Sequence, residues 1–285
     1  MKSNKFVFLD FFKMKRLCLL LSVWCFHFDV LSQDNINNKA EVKVNKAYLK
    51  SYLLDTRDII SSPFKINKTQ GLKMSGFALA TGTLIWLGDK TINNFAKNNR
   101  TTFGDNFFRF GAEHWGDGIY SMPLMAGFYL AGKIAHNDRA VKTAMLGVKT
   151  FIITSLLVSV PKEFFHRQRP YAADNQWAFN GPFAGYGKAE SRAFPSGHSM
   201  SAFAMATIVA NEYNEYKIVP IVAYGLASLT AVSRVYFEKH WSSDILVGSA
   251  FGYAMAKLIH HKNNWNISPF YSKSTSGMTI RIPLN

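Results

Sequence analysis

Six stretches of this chain, at residues 74–88, 118–132, 140–161, 199–211, 218–235 and 245–259, interleave Leu, Ile, Met and Phe with Gly, Ala and Ser. Stretches of that length suit helices better than strands, and the small residues let helices approach one another closely. Together they predict an all-α fold, a compact helical bundle of about six core helices. The charge-free runs inside them are short: 15 residues at 74–88, 16 at 218–233 and 12 at 150–161. A spanning helix needs about 20. The reading therefore favours helices buried in protein, or a bundle associated with a membrane interface, over six full spans. A membrane-embedded bundle stands as the alternative. Residues 278–284 alternate apolar and polar after Gly277 and predict a short C-terminal strand.

The rest of the composition narrows the class. With 48% hydrophobic and 15% aromatic residues in 285, disorder as the main state is excluded, and the length allows one sizeable core with a small appendage. The chain carries 33 basic against 18 acidic residues, a surplus of +15. Such a surplus points to an anionic partner: a phosphorylated substrate, an acidic lipid headgroup or a nucleic acid. No aromatic–basic binding motif or zinc finger accompanies it, so nucleic acid is not expected.

Near the N-terminus, Lys13, Lys15 and Arg16 precede an apolar run over residues 17–26, with Val30 and Ser32 where a signal peptidase reads. That layout predicts a secretory signal peptide over 1–32. Both cysteines, Cys18 and Cys25, fall inside it, so the mature chain has no thiol chemistry or disulfide. Removing the five basic and two acidic residues of 1–32 leaves a surplus of +12. The expected organisation continues with a polar lead-in at 33–70, a helical domain at 71–262 and a tail at 263–285. One short amphipathic helix is expected at 47–60 within the lead-in.

Three clusters carry chemistry. Lys162 and Arg169 are separated by nearly two helical turns and would share one helix face, ended by Pro170. Two cations on one stripe can clamp an anion, the arginine through forked donors. Pro195-Ser196-Gly197-His198 precedes an apolar run, placing a capping hydroxyl and free backbone N–H groups where an anion can dock, with His198 in reach. Ser233-Arg234 is followed by His240 and Asp244. These last two are i,i+4 neighbours, so the carboxylate can hold one imidazole nitrogen and aim the other as nucleophile or base. Taken singly, each cluster also reads as an ordinary basic face, capped helix or helix pair.

In order and together, Lys-x6-Arg-Pro, Pro-Ser-Gly-His and Ser-Arg-x5-His-x3-Asp resemble the three-part signature of the type 2 phosphatidic acid phosphatase superfamily, which includes haloperoxidases. All three parts occur without substitution, and the resemblance covers roughly residues 72–260. It implies a phosphoric monoester hydrolase in which His240 attacks phosphorus to give a phosphohistidine. Asp244 would orient His240, and His198 would protonate the leaving oxygen. Lys162, Arg169, Ser196, Gly197 and Arg234 would bind the phosphoryl oxygens, and neither metal nor cofactor is expected. The substrate class implied is a lipid phosphate or diphosphate in the cell envelope, with the membrane as partner and the active site outside the cytoplasm. A soluble periplasmic acid phosphatase of broad specificity fits the same residues. So does a vanadium haloperoxidase, although those enzymes are generally larger.

Four further features are less specific. His166 lies one turn from Lys162 and lines the site or sits on a helix surface. Glu113 and His114 lack the helical partner that a metal pair needs. Asp117 suits an N-cap. The long irregular stretch at 171–194, with Trp177, Phe179, Phe183 and Tyr186, suits a lid, an acyl-chain groove or simple loop packing.

Overall fold

A computed structural model describes residues 44–182, 188–263, 266–272 and 275–281. The signal peptide expected at 1–32, and the loop aromatics Phe183 and Tyr186, lie outside the described residues. Among the described residues there are eight helices. They are α1 (Lys46–Ser61), α2 (68–98), α3 (102–117), α4 (Ser121–Ile134), α5 (Asp138–Phe165), α6 (Gly197–Glu212), α7 (Ile218–Tyr236) and α8 (Ser242–Asn263). The six apolar stretches fall on α2 and α4 to α8, and the helical expectation for 47–60 is met by α1. Local chemistry sets several starts. Asn67 and Gln70 exchange side-chain and backbone hydrogen bonds in a capping box at α2, and Asn137 caps α5 through Ala140 N–H.

Helix α6 is the central element, packed against α5, α7 and α8. Ile59, Leu146, Ile153, Ala204, Ile208, Ala256 and Ile259 form the main core, drawn from α1, α5, α6 and α8. Burying each of the larger side chains there contributes roughly 1.5–3 kcal/mol. The α6–α8 crossing is set by glycine. A Cβ on Gly248 would lie 2.4 Å from the Ser196 carbonyl oxygen, and one on Gly252 would lie 2.1 Å from that of Met200. Two glycines one turn apart therefore let α8 run against the backbone of α6.

Two helices depart from regular α geometry. A π-helical turn at Leu84–Gly88 interrupts α2 just before Asp89, and a second at Phe107–Ala112 interrupts α3 just before Glu113. Such turns are frequent at functional sites because the inserted residue re-aims the next side chains of the helix.

The outer surface differs from a bundle whose apolar stretches are all buried. On α7, Ile218, Ile221, Val222 and Val232 are exposed, and on α5 so are Leu156, Val160 and Phe164. Helices α5 and α7 are long and apolar enough to cross a membrane by length and composition. A short charge-free run thus does not imply burial, because flanking residues extend the apolar face of the helix. The short C-terminal strand expected at 278–284 is not supported as a component of the domain. Beyond α8 the chain forms a pair, β1 (Asn266–Ser272) and β2 (Thr275–Arg281), joined among the described residues only to each other. Two strands alone are a marginal unit.

Candidate active site

The site gathers at one end of α5, α6, α7 and α8. Lys162 sits in the last turns of α5, and its Nζ donates to the Arg192 carbonyl at 3.1 Å. The helix does not continue to Arg169 as the spacing suggests. It stops at Phe165, His166 takes a left-handed conformation with φ 41°, and Arg169 is extended at φ −72°, ψ 153°. Pro170 accounts for the extended Arg169, because it disfavours the helical region for the residue before it, while the helix itself ends where His166 turns left-handed. Arg169 is instead held by its backbone N–H on the Glu190 carbonyl at 2.8 Å. His166 is neither a site-lining nor a surface residue. It is wholly buried, with Nδ1 2.9 Å from the Gly181 carbonyl oxygen and Nε2 3.1 Å from Glu163.

Ser196 caps α6 and is wholly buried, its Oγ accepting from Ser199 N–H at 3.4 Å and Ser199 O–H at 3.0 Å. Gly197 is the first residue of α6, so its N–H has no partner within the helix. A Cβ on Gly197 would lie 3.9 Å from Lys162 Nζ, which puts the lysine beside the start of the helix. His198 comes next, packed on Gly116 so tightly that a Cβ on that glycine would lie 2.7 Å from the His198 carbonyl oxygen.

Arg234, near the end of α7, is almost wholly buried and pairs with Glu113. Glu113 is therefore an anchor for this arginine. His114 is taken by Asp117, its Nδ1 2.8 Å from that carboxylate, and Asp117 also accepts from Ile119 N–H at 2.9 Å, bracing the α3–α4 turn. Arg169 and Arg234 each keep a buried Nε–H with no hydrogen-bond partner among the described residues.

His240 is buried between α7 and α8. Its Nδ1 lies 2.6 Å from the Ala193 carbonyl oxygen. A carbonyl can only accept, so Nδ1 carries the proton and Nε2 keeps its lone pair. Asp244 is placed differently from the i,i+4 reading. His240 precedes α8, and the carboxylate lies 3.7 Å from Nδ1, beyond hydrogen-bond reach. Asp244 turns instead to Trp241 N–H at 2.8 Å and to Arg167 at 2.5 Å. The backbone, which no motif displays, supplies the acceptor that orients the imidazole. Asp244 is left within range to stabilise a positive charge on the ring.

Electrostatics tie the cluster together. Burial, then the charges of Lys162, Arg234 and Arg169, hold His240 well below its ordinary value. Burial, then Arg234 and His240, push His198 down to about 3. Burial pushes Asp244 up, opposed by Arg167. Both histidines are thus neutral at pH 7 in the folded chain, whereas unfolded histidine takes up a proton below about 6.5. Folding stability is therefore present above pH ~6.5 and falls as the pH drops toward 3. Denaturant unfolding across that window is expected to show the loss, and His198→Asn to make it shallower. An unaltered pH dependence in His198→Asn would contradict this assignment.

Three cations, a capped helix start and two neutral imidazoles are close enough to act on one another electrostatically, a combination suited to a tetrahedral oxyanion. Residues 144–268 match the PAP2 superfamily model, a span that contains Lys162, Arg169, Ser196, Gly197, His198, Arg234, His240 and Asp244. Over this span the chain is similar to PAP2 superfamily domains. Among relatives, the chain is 38% identical over 69 residues to a lipid A 1-phosphatase of Porphyromonas gingivalis. That match covers 24% of this chain and 16% of the relative, far below two thirds of its length. It is 29% identical over 157 residues to phosphatidylglycerophosphatase B of Bacillus subtilis, covering 52% of this chain and 70% of that protein. Among solved structures, a transmembrane PAP2-type phosphatidylglycerolphosphate phosphatase from Bacillus subtilis matches with a TM-score of 0.47 and 24% identity. It covers 76% of this chain and 94% of the other. Asp89 and Glu113, which pair with Arg167 and Arg234, lie outside the matched span.

Proposed function

We propose that this chain is a metal-independent phosphatase of the cell envelope, releasing phosphate from a lipid phosphate or diphosphate through a phosphohistidine on His240. The observation that carries the reading is a neutral His240, fixed through Nδ1–H on the Ala193 carbonyl, among three cations and beside His198. In the first step Nε2 of His240 attacks phosphorus and the phosphorus–oxygen bond to the leaving group breaks. His198 gives its proton to the departing oxygen. In the second step water attacks phosphorus and the phosphorus–nitrogen bond breaks. His198 takes the water proton, leaving phosphate and a neutral His240. Lys162, Arg169, Arg234, Ser196 and the Gly197 N–H stabilise the charge spread over the phosphoryl oxygens, as a divalent ion does elsewhere. Asp244 offsets the positive charge on His240. His198 needs a proton that the cation-rich site disfavours, and a bound phosphate dianion supplies the negative charge that restores it.

The lipid class is supported by the outward apolar side chains of α5 and α7 and by the names of the relatives. Both favour association with a membrane, and the basic surplus suits an anionic lipid surface. The signal-like N-terminus supports a site outside the cytoplasm. The test is phosphate release across phosphatidate, phosphatidylglycerol phosphate, undecaprenyl diphosphate, lipid A and an aryl phosphate. Faster turnover of a lipid is expected, and preference for the aryl phosphate would favour a soluble acid phosphatase of broad specificity. His198→Gln is expected to slow the lipid phosphates by roughly 10²–10⁴-fold. The aryl phosphate, whose leaving group needs no proton, should be slowed much less. Equal losses on both would remove His198 from the acid role.

A further inference from the structure

Arg167 and Asp89 lie outside the residues assigned to phosphate chemistry, yet they form a densely hydrogen-bonded charged group among the described residues. Arg167, Asp89 and Asp244 are each 0% exposed. Arg167 donates from Nη1 to Asp244 at 2.5 Å and Ser243 Oγ at 2.7 Å, and from Nη2 to Asp89 at 2.7 Å and the Gln176 carbonyl at 2.6 Å. Its guanidinium lies over the rings of Phe179 at 4.7 Å and Trp241 at 5.5 Å. Asp89, delivered by the π-turn of α2, also accepts from Ser242 O–H at 2.6 Å, Ser243 O–H at 2.6 Å and Ser243 N–H at 2.8 Å.

Two paths lead from this group to His240. One is electrostatic: Arg167 divides its fork between two carboxylates, so the trio of Asp89, Arg167 and Asp244 carries one net negative charge. Asp244 thereby keeps negative character 3.7 Å from the imidazole. The other is mechanical: the Arg167 carbonyl accepts from Ala193 N–H at 2.9 Å, and Ala193 in turn accepts the His240 Nδ1 proton at 2.6 Å. Trp241, adjacent to His240, is tied to the same segment by its indole N–H on the Gln168 carbonyl at 2.9 Å.

The geometry points to Asp89 and Arg167 as positioning residues for His240, setting both the orientation of its ring and the negative field behind it. This inference rests on the reading of His240 as nucleophile. A buried ion pair is by itself weak grounds for a role beyond structure. What separates the two roles is that Arg167 touches both the carboxylate and the backbone acceptor that face the imidazole.

The test uses the full chain with Asp89→Asn, which keeps the shape and removes one negative charge from the trio. Ser242→Ala is a milder variant that removes one hydroxyl from Asp89. Lys149→Met is the control: it breaks another buried pair, Lys149 with Asp55 at 2.7 Å, between α5 and α1. Each protein is assayed for kcat and KM, for unfolding midpoint, and for the Nδ1–H resonance of His240 in histidine-labelled protein. Asp89→Asn is expected to lower kcat roughly 10–100-fold, with KM changed less than about threefold. It should also shift the His240 resonance and the acid limb of the kcat profile. Ser242→Ala should move the same quantities less and in the same direction. Lys149→Met should lower the unfolding midpoint while leaving kcat and the resonance unchanged.

A folded Asp89→Asn with wild-type kcat and an unmoved resonance overturns the inference, as does failure of both Asp89→Asn and Ser242→Ala to fold. The inference is also overturned if Asp89→Asn loses only as much activity as its folded fraction. If the wild-type chain releases no phosphate yet the resonance still moves in Asp89→Asn, the functional reading falls and the positioning role stands.

Discussion

His240→Ala is expected to cut phosphate release by at least about 10⁴-fold on every substrate the protein accepts. Nothing else among the described residues near phosphorus offers an unshared lone pair already oriented. Arginine and a charged lysine have none, Ser196 Oγ accepts two hydrogen bonds from Ser199, and His198 is assigned to the leaving group. The loss should appear mainly in kcat. The cations proposed to bind the phosphoryl group are anchored independently of His240, by Arg192 O for Lys162, Glu190 O for Arg169 and Glu113 for Arg234. Phosphate release by His240→Ala at more than a few per cent of the wild-type rate would contradict the mechanism.

Gly252→Ala is expected to destabilise the domain by roughly 3 kcal/mol, the upper end of what overpacking costs. The new Cβ meets the Met200 carbonyl oxygen at 2.1 Å, and backbone cannot turn aside as a side chain can. Relief requires α8 to withdraw from α6, opening the core of Leu146, Ile153, Ala204, Ile208, Ala256 and Ile259. Gly248→Ala is a companion case, because its contact is the Ser196 carbonyl oxygen at 2.4 Å. That contact displaces the helix start proposed to hold the phosphoryl group. Gly248→Ala should therefore raise KM as well as lower the unfolding midpoint, while Gly252→Ala acts chiefly on the midpoint. An unchanged midpoint in denaturant unfolding of Gly252→Ala would show that the helices do not cross this closely.

The parts of this architecture that are readable from the chain are those encoded over short separations. The six Gly- and Ala-rich stretches lie on helices because helical packing needs their composition. Ser196 reads as a cap because a serine before Gly197 and an apolar run can satisfy the first free N–H groups. Spacing is a weaker guide to path. Lys162 and Arg169 are two turns apart on paper, but the helix ends at a left-handed His166 and Pro170 keeps Arg169 extended. His240 and Asp244 are four residues apart, yet only Asp244 is on the helix, so the imidazole finds the Ala193 carbonyl.

Long-range partners leave even less trace. Asp89 meets Arg167 across 78 residues and Glu113 meets Arg234 across 121. A backbone acceptor such as Ala193 O has no residue signature at all. The one local hint is the second arginine inside the Lys-x6-Arg-Pro segment, an unusual density of charge next to Phe164 and Phe165. The outward apolar faces of α5 and α7 are hidden for a related reason. A run interrupted by one charge or Gly can still present a continuous apolar side once wound into a helix.

The most direct measurement concerns the covalent intermediate. The lipid phosphate turned over fastest, carrying radiolabelled phosphorus, is mixed with excess protein for less than one turnover and quenched in alkali, where phosphohistidine survives. The protein is then digested and the label mapped. The label is expected on the peptide containing His240, decaying as phosphate appears, and absent from His240→Ala. Full release of phosphate with no label on the protein at any time, or label on a different residue, would contradict the account.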